Sequence, residues 1–218
     1  MPLKVYILLF LFCSTLTHAW FFNFAPVKPF TLMIEAGGHS ANPGRSIDDT
    51  FESTITLAFA HALKNRLLEQ QPTAKIFINR QPGESIAFLQ SANFANKLDV
   101  DLYISIHAFL HTESKPCVYM YQFSYHDTLI IKDEGLSFYP LDKIYLINEP
   151  KTSKWARTIF QFFCPNPLIT TKGIYKIPFR PLLGIKAPAL AFEFGLKNKL
   201  AWHDCIDILA DSLLLLMK

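Results

Sequence analysis

The sequence Asp-Leu-Tyr-Ile-Ser-Ile-His-Ala at residues 101–108 decides the fold class of this chain. Positions 102–106 are dominated by aliphatic and aromatic residues without a regular polar–apolar alternation, which is typical of a strand buried on both faces. Such strands occur in parallel sheets that helices cover on each side. The segment therefore predicts a buried strand that ends at a polar side chain, His107.

Strands and helices alternate on both sides of this segment. Apolar residues recur at every fourth position in 53–69, which predicts a helix with one apolar face. The other predicted strands are residues 30–34, 74–79, 118–123 and 189–194, and the other predicted helices are 86–98, 155–163 and 200–216. Because crossover helices join parallel strands, this order predicts a single α/β domain with a mostly parallel, twisted sheet flanked by helices on both faces. Residues 124–150 mix Gly, Pro and Asp with short apolar pieces, and are predicted to be an insertion with weak structure.

The composition excludes several classes of protein. Of 218 residues, 50% are hydrophobic and 18% are charged, so the chain is neither disordered nor of low complexity. The formal net charge of +3 comes from 21 basic and 18 acidic residues without a Lys/Arg run, so no nucleic-acid partner is expected. Cys117, Cys164 and Cys205 allow at most one disulfide, and their spacing favours buried free thiols.

Residues 1–19 have the pattern of a signal peptide. Lys4 precedes an apolar run at 5–12, and a small residue, Ala19, stands at the expected cleavage point. The run is shorter than the ~20 apolar residues of a membrane span, although an uncleaved anchor is an alternative. We expect an exported protein whose mature chain, residues 20–218, forms one domain without a membrane span.

Four polar residues are expected at the edge of the sheet where its parallel strands end. His39 follows the first strand, Glu52 opens the first long helix, His107 ends the third strand, and Glu193 lies near the end of the last strand. Ligands bind at this edge in open α/β sheets. Two histidines and a carboxylate from different elements could hold zinc with one position open, as catalytic zinc requires. Glu193, between two phenylalanines, is costly to bury unless paired or protonated, which suits a general acid or base.

Three of these four residues also have a structural interpretation. Glu52 could belong to a capping box with Asp49 as the N-cap. His107 could be hydrogen-bonded to the backbone at the end of its strand, and Glu193 could form a salt bridge with a nearby Lys or Arg. Arg80, at the end of another predicted strand, could contact an anionic substrate or lie on the surface.

The same residues carry a resemblance to a known family. The motifs are the Ala-Gly-Gly-His turn at 36–39, Glu52, Ile-Ser-Ile-His-Ala at 104–108 and Pro-Ala-Leu-Ala-Phe-Glu-Phe-Gly at 188–195. In this order they resemble the zinc-dependent N-acetylmuramoyl-L-alanine amidases of the amidase-3 type. The resemblance runs from about Thr31 to the C-terminus.

The resemblance implies a site and an activity. His39, Glu52 and His107 would bind Zn²⁺, and Glu193 would be the catalytic carboxylate. The substrate would be peptidoglycan or a muramyl-peptide precursor, cut between N-acetylmuramic acid and L-alanine. The location would be the periplasm or cell envelope, and an activator protein is a possible partner.

One departure from the family pattern keeps two alternatives open. The family usually has Asp-Pro-Gly-His-Gly-Gly where residues 36–41 read Ala-Gly-Gly-His-Ser-Ala, so a carboxylate that could orient a metal ligand is missing. The chain could instead be a zinc amidohydrolase or carboxypeptidase for another acyl-peptide, or a catalytically inert module that binds the cell wall.

Overall fold

A computed structural model describes residues 28–87, 89–125 and 139–217. The strands are β1 (Thr31–Ala36), β2 (Ser46–Ile47), β3 (Thr50–Phe51), β4 (Lys75–Ile78), β5 (Leu102–Leu110), β6 (Cys117–Phe123), β7 (Thr170–Ile177) and β8 (Ala189–Leu196). The helices are α1 (Glu52–Gln70), α2 (Gln90–Leu98), α3 (Glu149–Phe163) and α4 (His203–Leu214), and short 3-10 helices cover Ile144–Ile147 and Arg180–Leu182. The predicted signal peptide and residues 126–138 of the predicted insertion lie outside the described residues.

Six strands form the central sheet in the order β4-β1-β5-β8-β6-β7. Four of the five strand pairings are parallel, and only β6 and β8 pair in the antiparallel sense. Strands β2 and β3 form a separate two-stranded hairpin just before α1. The prediction of a single α/β domain with a mostly parallel sheet is confirmed.

Helices cover the sheet on both faces. On one face α1, α3 and α4 pack against side chains of alternate strand residues such as Leu32, Ile34 and Ile104. On the other face the opposite residues, among them Met33 and Tyr103, pack against α2 and the loops around it. Because neighbouring strand residues point to opposite faces, both sets must be apolar, which explains the continuous apolar runs in the sequence.

The predicted elements are found with shifted ends. Helix α3 begins at Glu149 rather than 155, because Pro150 occupies its first turn, where proline is favourable. Helix α2 begins at Gln90 rather than 86, since Leu89 before it has a left-handed backbone with φ of 64°. Strand β7 was not predicted: it is an edge strand whose residues are half-buried or exposed, so it lacks an apolar run. No described helix has the length and apolar character needed to cross a membrane.

Candidate active site

Glu52 and His107 meet where β5 ends and α1 begins. Glu52 is the first residue of α1 and is buried, and its Oε1 lies 2.9 Å from His107 Nδ1. The same carboxylate accepts backbone hydrogen bonds from Ala108 (3.3 Å) and, at Oε2, from Arg45 (3.2 Å). Burial opposes ionisation of Glu52, but the hydrogen bond and charge of His107 outweigh it and lower the pKa of Glu52.

The structural interpretations of these two residues are wrong. The residue that caps α1 is Phe51, without a side-chain cap, and Asp49 is paired with Lys199 at 2.8 Å instead. The imidazole of His107 contacts two side chains rather than the backbone: its Nε2 lies 2.9 Å from Ser105 Oγ, and its Nδ1 faces Glu52. Both side chains are therefore committed to a polar cluster at the expected edge of the sheet.

Glu193 lies beside His107 on the neighbouring strand. The two residues are register partners in the parallel pairing of β5 with β8. Arg45 Nη1 donates to Glu193 Oε1 at 2.5 Å, and the Tyr121 hydroxyl donates to Oε2 at 2.7 Å. The interpretation of Glu193 as half of a salt bridge is confirmed, with Arg45 as its partner. Burial and the Glu193 carboxylate raise the pKa of Tyr121, which keeps that hydroxyl protonated as a donor.

His39 is not brought into this cluster. Its backbone pairs with Asn42, and the next residue, Ser40, is tied to residues 84–85 through the Glu84 carbonyl and the Ser85 hydroxyl. His39 Nδ1 is buried without a hydrogen-bond partner in the described part of the chain. The imidazole therefore keeps a buried ring nitrogen that no described group satisfies, which is a donor of the kind that zinc binds.

A cavity of about 410 Å³ opens over the cluster. It is lined by Arg45, Glu52, His107, Glu193 and residues 177–181. A second hollow, of about 530 Å³, adjoins it and shares Arg45 and Glu193. Three of the four predicted site residues thus face one cavity, together with two arginines, Arg45 and Arg180, that the sequence did not single out.

His39, Glu52 and His107 have the donor types of a catalytic zinc site, and the structure shows a direct contact between two of them, Glu52 and His107. Such a site needs three protein ligands and an open position. Here His107 and Glu52 supply two donors that bond each other, and no three His, Cys, Asp or Glu side chains in the described ranges are close enough to hold a metal ion. The residue types fit zinc, and His39 Nδ1, which is buried without a hydrogen-bond partner in the described part of the chain, would be the third donor.

Glu35 and Arg80 support the cluster from behind. Glu35 stands one position before the Asp that the family usually has. It lies against Ser105, whose hydroxyl contacts His107. Burial raises the pKa of Glu35, and the charge of His107 opposes part of that rise. Arg80 is only 4% exposed and donates to the carbonyls of Ala36, Gly37 and Ser53 at 3.2, 3.4 and 2.7 Å. Arg80 is therefore neither a surface residue nor a substrate contact, but holds the loop after β1.

Sequence reasoning missed Arg45, Tyr121 and Glu35 as members of the site. The turn Pro43-Gly44-Arg45 carried a signal: Gly44 has φ of +80°, and a Cβ there would collide with the Glu52 carboxylate. Only a glycine lets Arg45 approach Glu52 so closely. Nothing in the local pattern around Tyr121 distinguished it from a core aromatic residue.

The fold and the cavity define an α/β protein with a candidate hydrolytic site at the carboxyl edge of its sheet. A family model described as Amidase_3, N-acetylmuramoyl-L-alanine amidase, matches residues 32–201. The chain belongs to this family, as the sequence motifs indicated. The family is generally zinc-dependent.

Individual relatives are distant. The N-acetylmuramoyl-L-alanine amidase CwlM of Bacillus licheniformis is 29% identical over 76 residues, which are 35% of this chain and 30% of that protein. The catalytic domain of CwlV from Bacillus (Paenibacillus) polymyxa var. colistinus has a TM-score of 0.63 at 19% identity, over 87% of this chain and 99% of that one. The amidase of Clostridium difficile 630 has a TM-score of 0.59 at 14% identity, over 86% and 96%. The two structures share the fold.

Proposed function

We propose that this chain is an exported N-acetylmuramoyl-L-alanine amidase that acts on peptidoglycan or a muramyl-peptide precursor in the periplasm or cell envelope. It would hydrolyse the amide between N-acetylmuramic acid and L-alanine. The observation that carries the proposal is the cavity in which the Glu193 carboxylate and the Glu52–His107 pair meet at the carboxyl edge of the sheet. Family membership supplies the substrate class.

Glu193 would be the proton carrier of the reaction. As a water oxygen bonds to the amide carbon, one Glu193 oxygen accepts the proton that the water loses. The same proton then passes to the amide nitrogen as the carbon–nitrogen bond breaks, which leaves a lactyl carboxylic acid and the amine of alanine. The acid loses its proton to the amine or to water. Tyr121 would orient the carboxylate through its hydrogen bond to Oε2.

Zinc binding by His39, Glu52 and His107 stays a prediction of the sequence. The contact between Glu52 and His107 supports two members of the set, and the buried, unpartnered Nδ1 of His39 supports the third. A zinc ion held by these residues would polarise the amide carbonyl, and the steps described above are those of the chain's own side chains. In this mechanism Glu52 fixes the orientation of the His107 ring beside Glu193.

We also propose that an activator protein binds this chain. The CwlD amidase from Clostridioides difficile, a structural neighbour at a TM-score of 0.50, was solved in complex with the GerS lipoprotein. A partner of that kind could bind this chain as well, and adding envelope extract to the purified protein would test it by an increase in the rate of cleavage.

A second candidate function is binding of muramyl peptides without cleavage. It is favoured by one observation: both oxygens of Glu193 already accept hydrogen bonds, from Arg45 and Tyr121. Each of these hydrogen bonds occupies a lone pair of the carboxylate that would otherwise be open to a water molecule.

Cleavage separates the two candidates. The full chain is incubated with purified peptidoglycan and with a muramyl peptide, and mass spectrometry measures the released stem peptide. We expect release by the wild type and a fall in kcat of about 100-fold or more in Glu193→Gln, which is the range of general acid–base catalysis. The matched control is Glu69→Gln, an exposed carboxylate on α1. Binding without release would favour the second candidate, and equal rates for Glu193→Gln and wild type would remove Glu193 from the mechanism.

A further inference from the structure

The hollow that adjoins the cavity over His107 has an aromatic side. It measures about 530 Å³, and its lining consists of Phe109, Leu110, Tyr119, Arg45, Ser46 and Glu193. Because Arg45 and Glu193 also line the cavity over His107, the Glu193 carboxylate lies at the junction of the two spaces. A substrate whose reacting bond lies at Glu193 therefore extends into both of them.

Neighbouring strands place the aromatic rings beside Glu193. Tyr119 on β6 is the register partner of Glu193 in the antiparallel pairing with β8. Phe109 follows His107 by two residues on β5, so the two side chains point to the same face of the sheet. The ring centres of Phe109 and Tyr119 are 6.1 Å apart. The apolar side of the hollow thus begins directly at the candidate catalytic carboxylate.

Tyr175 on β7 continues this surface. Its ring centre lies 6.0 Å from that of Tyr119, with 36° between the ring planes. The ring is held against its own strand, because its hydroxyl donates to the Lys172 carbonyl at 3.1 Å and a Cβ on Gly173 would lie 3.3 Å from it. Tyr175 is nevertheless 42% exposed. We call Phe109, Tyr119 and Tyr175 the aromatic platform; open apolar surfaces of this kind are typical of ligand-binding grooves.

The chemistry of the two spaces differs in the same way as the two halves of a muramyl peptide. The cavity over His107 contains a second guanidinium, Arg180, and guanidinium groups recognise carboxylates, which stem peptides carry. The sugar half is uncharged, with C–H groups on its ring faces and polar groups at its edge. It fits a space that has aromatic rings on one side and Arg45 and Ser46 beside them.

We propose that the aromatic platform is a subsite for the N-acetylmuramic acid ring, and that the stem peptide lies in the cavity over His107. The identity of the ligand rests on the proposed function, whereas the position of the subsite rests on the geometry around Glu193. The chain would then select stem peptides that are still attached to the sugar, and it would discriminate against the same amide without a sugar.

Two uncleavable probes test this inference. One is a muramyl dipeptide and the other is the corresponding lactoyl dipeptide, which lacks only the sugar. In both, a methylene group replaces the nitrogen of the scissile amide, so that hydrolysis cannot occur. Calorimetry gives the affinity of the full chain for each probe in a buffer that contains zinc.

We expect the wild type to bind the muramyl probe about tenfold more tightly than the lactoyl probe. Tyr119→Ala should weaken binding of the muramyl probe by about threefold to tenfold, the range for a lost aromatic contact, without weakening that of the lactoyl probe. Tyr119→Phe keeps the ring and should retain most of the affinity. Tyr175→Ala, which removes a more exposed ring, should likewise weaken only the muramyl probe.

Tyr125→Ala is the matched control. Tyr125 is 45% exposed and follows the other end of β6, away from Glu193, so its loss should leave the affinity for both probes unchanged. Thermal unfolding checks that each variant is folded.

The outcomes separate this inference from the proposed function. Equal affinity of the wild type for the two probes, or an equal loss for both in Tyr119→Ala, would overturn the sugar subsite, and cleavage of the parent muramyl peptide would still keep the amidase. Sugar-dependent binding without cleavage of the parent peptide would keep the subsite and overturn the amidase. Failure of the wild type to bind either probe would overturn both.

Discussion

At the scale of single residues, the site depends on groups that never face the cavity. Glu35 Oε2 is buried without a hydrogen-bond partner in the described part of the chain, behind the Ser105–His107 contact. Gly37 lies against the other side of the His107 ring. Glu35 therefore lies behind the side chain that contacts the imidazole, and Gly37 leaves the space that the imidazole occupies.

The first prediction concerns the pH dependence that Glu35 gives to stability. Burial raises the pKa of Glu35 above its ordinary 4.5, so the folded chain keeps this proton to higher pH than the unfolded chain does. The stability that Glu35 contributes is complete below pH 4.5 and is lost as pH rises through its folded pKa. Glu35→Gln cannot ionise, so its free energy of unfolding should exceed that of wild type increasingly as the pH rises above 4.5.

Urea unfolding at a series of pH values measures this difference. Glu69→Gln, at an exposed carboxylate on the outer face of α1, is the control and should show no such gain. A Glu35→Gln difference that is flat with pH would mean that the Glu35 carboxyl is not held protonated by burial.

The second prediction concerns Gly37. A Cβ at this position would lie 2.6 Å from His107 Nδ1 and 2.7 Å from the Ile106 carbonyl oxygen. Gly37→Ala should therefore displace His107 and lower the free energy of unfolding by about 1–3 kcal/mol, the range for overpacking. Chemical denaturation measures the loss, and the rate at which stem peptide is released from a muramyl peptide should fall in parallel.

Gly83→Ala provides the comparison for Gly37→Ala. A Cβ at Gly83 would meet nothing within 4 Å, and only its φ of +81° opposes the change. This variant should lose about 1–2 kcal/mol through backbone strain alone and release stem peptide at the wild-type rate. Equal losses of stability and activity in the two alanine variants would show that the contact of Gly37 with His107 affects neither property.

At the scale of elements, α1 connects the hydrophobic core to the site. Its buried face includes Ile55, Phe59 and Leu63, and its first residue is Glu52. The Phe59 ring packs 5.2 Å from Phe194 on β8, the strand that carries Glu193. Because the helix is rigid, the packing of its middle turns sets the depth at which Glu52 enters the cavity.

The third prediction follows from that packing. Leu63 is fully buried in the core between α1 and the sheet. Leu63→Ala should lower the free energy of unfolding by about 2–5 kcal/mol, since the cavity it leaves can close only in part. Asn65→Ala, on the exposed face of the same helix, should change stability by less than about 0.5 kcal/mol. Denaturation midpoints in urea compare the two, and similar losses would place Leu63 outside the core.

At the scale of the whole molecule, the sheet and its two covering layers stabilise the described fold without a disulfide. Cys117 and Cys205 are buried free thiols, as the sequence favoured, whereas Cys164 is exposed, contrary to that expectation. Burial raises the pKa of Cys205 to about 12, so its thiolate is scarce at neutral pH.

The fourth prediction uses these thiols to report global opening. In Cys164→Ser, Cys117 and Cys205 should react with a thiol reagent only as fast as the chain unfolds, because both lie inside the core. Mass spectrometry of digested, labelled protein assigns the rate to each cysteine. Labelling of Cys205 at the rate of a free thiol in native buffer would contradict the packing of α4. Addition of a reductant should leave the unfolding temperature unchanged.

How much of the fold and of the site was predictable depends on how far apart in the sequence the interacting residues are. The helix at 53–69 and the strand at 102–106 were recognised within a few residues of their ends, because periodicity is a local property of the chain. The gathering of Glu52, His107 and Glu193 at one edge followed from strand direction, which crossover helices dictate. Strand β7 was not predicted, because the residues of this edge strand are half-buried or exposed and form no apolar run.

The sequence by itself determined the α/β class, the family and the edge of the sheet at which the polar residues meet, since each follows from short-range patterns. Only the tertiary structure decided what those residues contact. The ion pair of Arg45 with Glu193 joins positions 148 apart in the chain, and the turn of the His39 loop depends on hydrogen bonds to residues 84–85. Side-chain partners across such separations are set by the packing of whole elements, which no local pattern encodes.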